Sequence, residues 1–360
     1  MRYTFILLFV LSSYNAAFSQ KSKPATGPVI SRYYYFTGTI DKYPVTFHLY
    51  RINEKFTGNY YYNSAEEPIE LSGEIGKDNF LKLVHYDSEY NESEILSGNF
   101  KDSSYAGTWS YNGKLLSFRI TQKKENNGLA FDYIYTTGSK KLPKGDDYSR
   151  PELSYDAAAI WPAASSTHPA TNLIKQVIRE TFGVKEGEDE IGKIMIARKN
   201  SFLNYEKDKE ITEYALSSKA KVEYQNAQLL TISDFGYTDG GGAHGIYGTV
   251  YVCIDLINNR KLAITDVLDT LTCRKNLHSL LVKKFRAAYK LKPDEKLSEV
   301  LFADDIPLTD NFFLTSKGIG FHYNPYEVGA YALGNVQVYI PFKELSNCLN
   351  PAFKKLVGIN

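Results

Sequence analysis

Between residues 31 and about 122 the chain repeats a short pattern, apolar-x-Gly-x-apolar. It reads Phe36-Gly38-Ile40, Phe56-Gly58-Tyr60, Leu71-Gly73-Ile75, Leu96-Gly98-Phe100 and Tyr105-Gly107-Trp109. Side chains at i, i+2 and i+4 of a strand share one face. Each glycine therefore sits between two bulky residues, leaves a gap for a neighbouring strand's side chain and lets the strand bend. Val45 to Tyr50, Phe80 to His85 and Leu115 to Ile120 are further strand candidates, separated by turn-rich breaks such as Asn63-Ser64, Gly76-Lys77-Asp78 and Asn112-Gly113. This predicts an all-β domain over residues 31–122, an antiparallel β-meander or small barrel. The glycine units are unevenly spaced, which excludes a solenoid. The tyrosine runs 33–35 and 60–62 must face both sides of their strands. Their outer rings read as ordinary strand surface, with a sugar-stacking platform as the alternative. His48 and His85 stand alone among strand residues and read as structural.

Residues 123–150 are polar and turn-rich, a linker pattern, with "LAFDYIY" as one more strand of either domain. Past it the period changes. Leu153 to Trp161 reads as a strand. A helix follows, with Pro169 in its first turn, a stripe of Leu173, Ile174, Val177, Ile178 and Phe182, and Gly183 as its stop. A second helix is predicted over 188–207 and a third from Thr272 to about Lys290, where Leu277, Leu280, Leu281 and Ala288 make the stripe. Lys221 to Asp234, Tyr247 to Leu256, Phe312 to Ser316, Ile319 to Tyr323 and Val336 to Phe342 read as strands. Residues 151–360 are thus expected to form a second domain, an antiparallel sheet with helices packed on one face. The fold class is α+β.

The first twenty residues stand apart. Arg2, the apolar run Phe5 to Leu11 and Ala17-Phe18-Ser19 before Gln20 form the three regions of a secretory signal peptide, residues 1–20. A periplasmic or extracellular location follows, with no integral membrane segment after its removal. Removal takes Arg2 and no acid, which leaves basic and acidic residues equal at 41. That balance argues against a nucleic-acid or anionic-membrane binder. Three cysteines, Cys253, Cys273 and Cys348, cannot all pair. One bridge, Cys273 with Cys348 near element ends, stands against three buried free thiols.

The stretch "YTDGGGAHGIYG", residues 237–248, looks most like a motif. Its glycines match G-x-G-x-x-G, but a dinucleotide loop must open a helix, and here "IYGTVYVCIDL" reads as a strand. The loop is expected to be a strand connection, with Gly240 to Gly242 at positive backbone angles and His244 bonded to nearby backbone. No G-x-S-x-G or H-E-x-x-H occurs. His244 and His322 with Asp234, Asp239 or Glu327 remain the alternative, a metal or acid-base site.

Together, "LLTISDFGYTDGGGAHG", "YVCIDLINNRKLAITDVL" and "GIGFHYNPYEVGAYALGNVQVYIPFKEL" resemble the extracellular domain shared by the RsiV anti-sigma factor and the PdaC peptidoglycan deacetylase. The marks are Y-x-x-G-G-A-H-G, a strand ending in D-L, an [LI]-T-D-[LV] step, F-x-Y-x-P-Y-E-[IV]-G and [VI]-x-I-P-[FY]-x-[ED]-L, in order over about residues 150–350, with one extra glycine before Gly241-Gly242. The resemblance implies an α+β domain that is not itself a catalyst. In the anti-sigma relative it binds lysozyme; in the deacetylase the chemistry belongs to another domain. This chain shows no transmembrane helix, sigma-binding segment or deacetylase domain. The expectation is therefore a secreted, non-catalytic binding module of the cell envelope, for a wall glycan or a protein such as lysozyme. Its contact candidates are Tyr237, Asp239, His244, Tyr323, Tyr326 and Glu327. No catalytic residue, metal site or cofactor is assigned. An envelope hydrolase or deacetylase using His244 and His322, and a structural or assembly protein, are the alternatives.

Overall fold

The computed structural model describes residues 29–87, 90–124, 126–143, 149–184, 190–204, 211–345 and 347–359; the signal-peptide reading at 1–20 lies outside them. The glycine rhythm folds as a closed eight-stranded barrel. Its strands are β1 (Ser31–Ile40), β2 (Tyr43–Ile52), β3 (Lys55–Tyr62), β4 (Ile69–Ile75), β5 (Phe80–Tyr86), β6 (Glu92–Lys101), β7 (Ser104–Tyr111) and β8 (Lys114–Gln122). Each pairs antiparallel with the next, and β1 closes on β8 from Phe36↔Gln122 to Ile40↔Phe118. Alternate residues point inward, and Phe36, Phe47, Phe56, Leu83, Leu96, Phe100 and Phe118 fill the interior. Eight strands enclose just the width that side chains can fill.

The glycines play a different part from the one the pattern suggests. Gly98 and Gly107 are register partners on β6 and β7, and a Cβ on either would lie 2.6 Å from the other's Cα. They make no gap for a side chain. They let two backbones close on each other where the wall coils.

The second sheet has six strands in the order β14-β13-β12-β11-β10-β9. They are β9 (Phe131–Lys141), β10 (Glu152–Pro162), β11 (Ala215–Gln225), β12 (Leu229–Asp239), β13 (Ile246–Asp255) and β14 (Arg260–Leu262). β9, the strand within 123–150, is an edge strand paired along β10. The sheet is mixed: β10 and β11 run parallel, from Ser154↔Ala215 to Ala159↔Ala220. A parallel pair needs a long crossover, supplied by the chain holding α1 (Thr171–Thr181) and α2 (Ile191–Leu203). Ile174, Val177 and Ile178 of α1 and Ile191, Ile194 and Met195 of α2 are buried. The expected single strand Lys221 to Asp234 is instead a hairpin. Asn226 Oδ1 accepts from the amides of Gln228 and Leu229 and turns the chain there.

Beyond α3 (Ile264–Val267) and α4 (Arg274–Ala288), a three-stranded antiparallel sheet forms from β15 (Phe312–Leu314), β16 (Gly318–Tyr323) and β17 (Val336–Pro341). α4 packs on β17 with Leu277, Leu281 and Phe285 buried, and α5 (Pro351–Val357) ends the described chain. Cys273 and Cys348 form a disulfide, while Cys253 is free and buried.

The barrel docks on both sheets through its outer tyrosines. Tyr50 Oη donates to the Val222 carbonyl at 2.8 Å and accepts from the Val222 amide at 2.6 Å, next to a bulge in β11. Each such bond contributes about 0.5–1.5 kcal/mol net. Gln225 donates to Tyr33 Oη, and Asn59 donates to the Glu223 carboxylate. Glu66 accepts from both the amide and the hydroxyl of Ser316. Tyr33, Tyr35 and Tyr61 are buried in this contact, and Tyr34 and Tyr60 line the barrel. Of the two tyrosine runs, only Tyr62 keeps a partly open face.

Candidate functional site

β13 pairs with β12 on one edge, and on the other it borders the short β14, which reaches no farther than Cys253. Two asparagines bind its backbone farther along. Asn311 accepts from the Tyr251 amide and donates to the Thr249 carbonyl, and Asn324 Oδ1 accepts from the Thr249 amide at 2.6 Å. The small sheet is thereby fastened against β13. That fastening brings the turn after β16 to the loop joining β12 and β13, so the two motif-rich segments meet.

The loop is shaped by Asp239 and two glycines. Asp239 Oδ1 accepts from the Gly241 amide at 2.8 Å, and its carboxylate takes Arg150 at 3.0 Å. Arg150 also donates to the Gly242 carbonyl. Gly241 has φ +82, and a Cβ there would meet Ser149 and Tyr214 at 2.7 Å. Among the three glycines only Gly241 takes a positive angle, a correction to the expectation for Gly240 and Gly242. Tyr237 lies under Gly245, where an added Cβ would come 2.4 Å from its hydroxyl. Asp239 and Tyr237 thus support the loop from within.

The turn after β16 is held in the same way. Glu327 accepts from the Asn324 amide at 3.0 Å and from its side-chain amide at 3.2 Å. Tyr326 stands at the apex with φ +72 and is 52% exposed. Tyr323 points the other way. It is buried in the core and donates to the Pro307 carbonyl.

What reaches solvent is a shelf of rings. The exposed His244 imidazole stacks on Tyr331 with centroids 3.9 Å apart, and on Tyr326 at 6.4 Å. Tyr326 and Tyr331 are 5.6 Å apart, and Tyr247 meets Tyr331 edge-on. His244 Nδ1 faces the Gly245 carbonyl at 2.9 Å, as expected of a turn histidine, and its Nε2 faces Tyr326 Oη at 3.3 Å. The Tyr331 hydroxyl donates to that same carbonyl. Sequence reasoning missed Tyr331 and Tyr247. Nothing in "VGAYALGN" sets Tyr331 apart from the other tyrosines; only its place in the short turn Tyr331–Leu333 brings it under His244.

Two residues of the catalytic alternative, His322 and Asp234, do not share this shelf with His244. His322 is fully buried, with Nε2 against Asn324 Oδ1 and Nδ1 against the Gln337 amide, both at 3.1 Å. Burial lowers its pKa to about 4. Asp234 is held among Thr181 and Arg198, beside the crossover helices, and burial raises its pKa. Among the described residues no group of three or more His, Cys, Asp or Glu side chains could hold a metal ion. A cavity of about 370 Å³ lies elsewhere, between β14, α3 and α5. Its polar walls bind each other: Asp255 accepts from the Ile257 and Asn258 amides, Arg260 pairs with Asp266, and Asn350 donates to Thr265.

No curated protein matches the chain. A crystal structure of a DUF3298 family member from Bacteroides fragilis is 24% identical, with a TM-score of 0.53, and covers 64% of this chain and 99% of that one. A DUF3298 family protein from Pseudomonas aeruginosa is 18% identical, with a TM-score of 0.46, and covers 62% and 96%. The first likeness shows the fold. Tyr326, Glu327 and Tyr331 fall inside the segment that matches a family by sequence, and His244 falls before it. That segment, residues 266–343, matches the model of the DUF3298 family, described as a protein of unknown function.

Proposed function

We propose that this protein is a non-catalytic binding module of the cell envelope, and that its ligand is a wall glycan held on the ring shelf. The observation that carries the reading is the exposed stack of His244, Tyr326 and Tyr331 at the meeting of two loops. Flat rings with polar edges suit a sugar, which presents C–H groups on one face and hydroxyls at its rim. Residues that would otherwise offer charge for catalysis, Asp239 and Glu327, are engaged in holding the loops. The disulfide agrees with an oxidising compartment. Among the described residues no helix is long and apolar enough to cross a membrane.

A protein ligand such as lysozyme is the second reading. It is favoured by the exposed apolar side chains of Ile246 and Val250 on β13. Retention on insoluble peptidoglycan and on immobilised lysozyme, each with Tyr326→Ala beside the native chain, tests both. The glycan reading expects capture by peptidoglycan that Tyr326→Ala weakens. Capture by lysozyme alone replaces it with the protein reading, and capture by neither overturns both.

A further inference from the structure

The two ends of the barrel differ in one respect that the shelf does not explain. Each carries a carboxylate. At one end Asp102 is met by two of the chain's own cations, Arg32 and Arg51, and by the Tyr34 hydroxyl. At the other end Glu94 shares the inward face of β6 with Leu96 and Phe100. Its Oε2 accepts from the Trp109 indole at 2.9 Å and from the Tyr60 hydroxyl. Burial and then the Glu94 charge push the Tyr60 phenol up, so it stays a donor. Yet among the described residues no basic group stands within 4.0 Å of Glu94, and Oε1 receives no hydrogen bond.

Around this carboxylate the barrel opens to solvent through tyrosines. Tyr43 and Tyr62 meet edge-on at 6.3 Å, Tyr62 meets Tyr60 at 5.7 Å, and Tyr111 leans on Trp109 at 6.1 Å. Tyr43 is 44% exposed and Tyr111 41%. The rim already shows what its rings accept: Lys42 Nζ lies 5.6 Å from the Tyr43 centroid. A negative group with no counter-ion, inside a ring of π faces, is complementary to a cation with an apolar skin.

We propose that the barrel mouth at Glu94 binds an organic ammonium group, with the charge on Glu94 and the carbon skeleton against Tyr43, Tyr62 and Tyr111. The site is separate from the ring shelf and does not depend on it. Mouths of β-barrels are a recurrent place for such sites.

The test is titration of the full chain with glucosamine, which carries an ammonium, and with N-acetylglucosamine, its neutral counterpart. The readout is the indole N–H resonance of Trp109, assigned as the one that survives Trp161→Phe. Saturable shifts with glucosamine are expected, lost in proportion as salt rises, with N-acetylglucosamine binding at least about tenfold more weakly. Glu94→Gln keeps the shape and removes the charge, and should weaken glucosamine to the neutral sugar's level. Tyr331→Ala on the shelf should leave the titration unchanged. Equal response to both sugars overturns the proposal, as does no saturable response to glucosamine. If Glu94→Gln does not fold, the salt dependence and Tyr111→Leu, which removes a ring face, decide in its place.

Discussion

The imidazole of His244 lies on the phenol of Tyr331, centroids 3.9 Å apart and planes 21° from parallel. The contact joins the β12–β13 loop to the turn before β17, and the Tyr331 hydroxyl adds a bond to the Gly245 carbonyl. Tyr331→Ala removes both ring and bond, whereas Tyr331→Phe removes the bond alone. The bond is worth about 0.5–1.5 kcal/mol. Tyr331→Phe should therefore lower stability slightly and keep peptidoglycan retention. Tyr331→Ala should lose retention while the chain stays folded by circular dichroism. Equal retention by all three chains would remove the shelf from the binding surface.

Gly245 and Tyr237 form the second relationship open to test. A Cβ on Gly245 would lie 2.4 Å from the Tyr237 hydroxyl and 2.5 Å from its ring carbons. Gly245→Ala should destabilise by about 1–3 kcal/mol, as overpacking does. Tyr237→Ala removes the obstacle, so the double variant should be more stable than the two single losses added together. Urea melts of the four chains measure this coupling. Strict additivity would show that the loop moves aside instead.

Much of this architecture is legible in the sequence, and the boundary has physical causes. The barrel can be read because its inward residues alternate along each strand, around a glycine in five of the eight, a signal that lives within the strand. The helices at Thr171–Thr181 and Arg274–Ala288 can be read because their stripes are local too. The parallel pairing of β10 with β11 cannot, since it depends on where the crossover helices return the chain. Tyr33, Tyr35 and Tyr61 look like surface rings until the sheets cover them. The same limit applies at the site. His244 and Tyr326 stand in motifs, but Tyr323 alternates into the core, and Tyr331 gains its place only from tertiary packing.

The disulfide should be countable. Unfolded without reductant, the chain should label at one thiol, Cys253, and after reduction at three. In the native state burial pushes the Cys253 thiol up to about 12, so it should react with neither alkylating agent nor bridge. The bridge closes a loop with a sequence separation of 75 residues. By chain entropy, replacing both partners with serine should cost about 4 kcal/mol. Three reactive thiols before reduction would contradict the bridge.

His48 gives a pH dependence whose sign is fixed by its burial. It is fully buried between the barrel wall and β11, with Nδ1 on the Tyr33 hydroxyl and Nε2 unbonded. Burial lowers its pKa from 6.5 to about 3. Between those values the unfolded chain holds a proton that the folded chain refuses. The stability His48 supports is therefore complete above pH 6.5 and falls as pH drops toward 3. His322, lowered to about 4, acts in the same direction. Asp234, raised by burial, acts in the opposite one, so the melt of the native chain alone mixes the signs. Subtracting the curve of His48→Gln, which cannot titrate, isolates the histidine. The difference in unfolding free energy should be flat above pH 7 and then decline by up to about 1.4 kcal/mol per pH unit. A difference that stays level down to pH 4.5 would mean that the folded chain protonates His48 as readily as the unfolded one, and that the barrel does not seal against the sheet at this point.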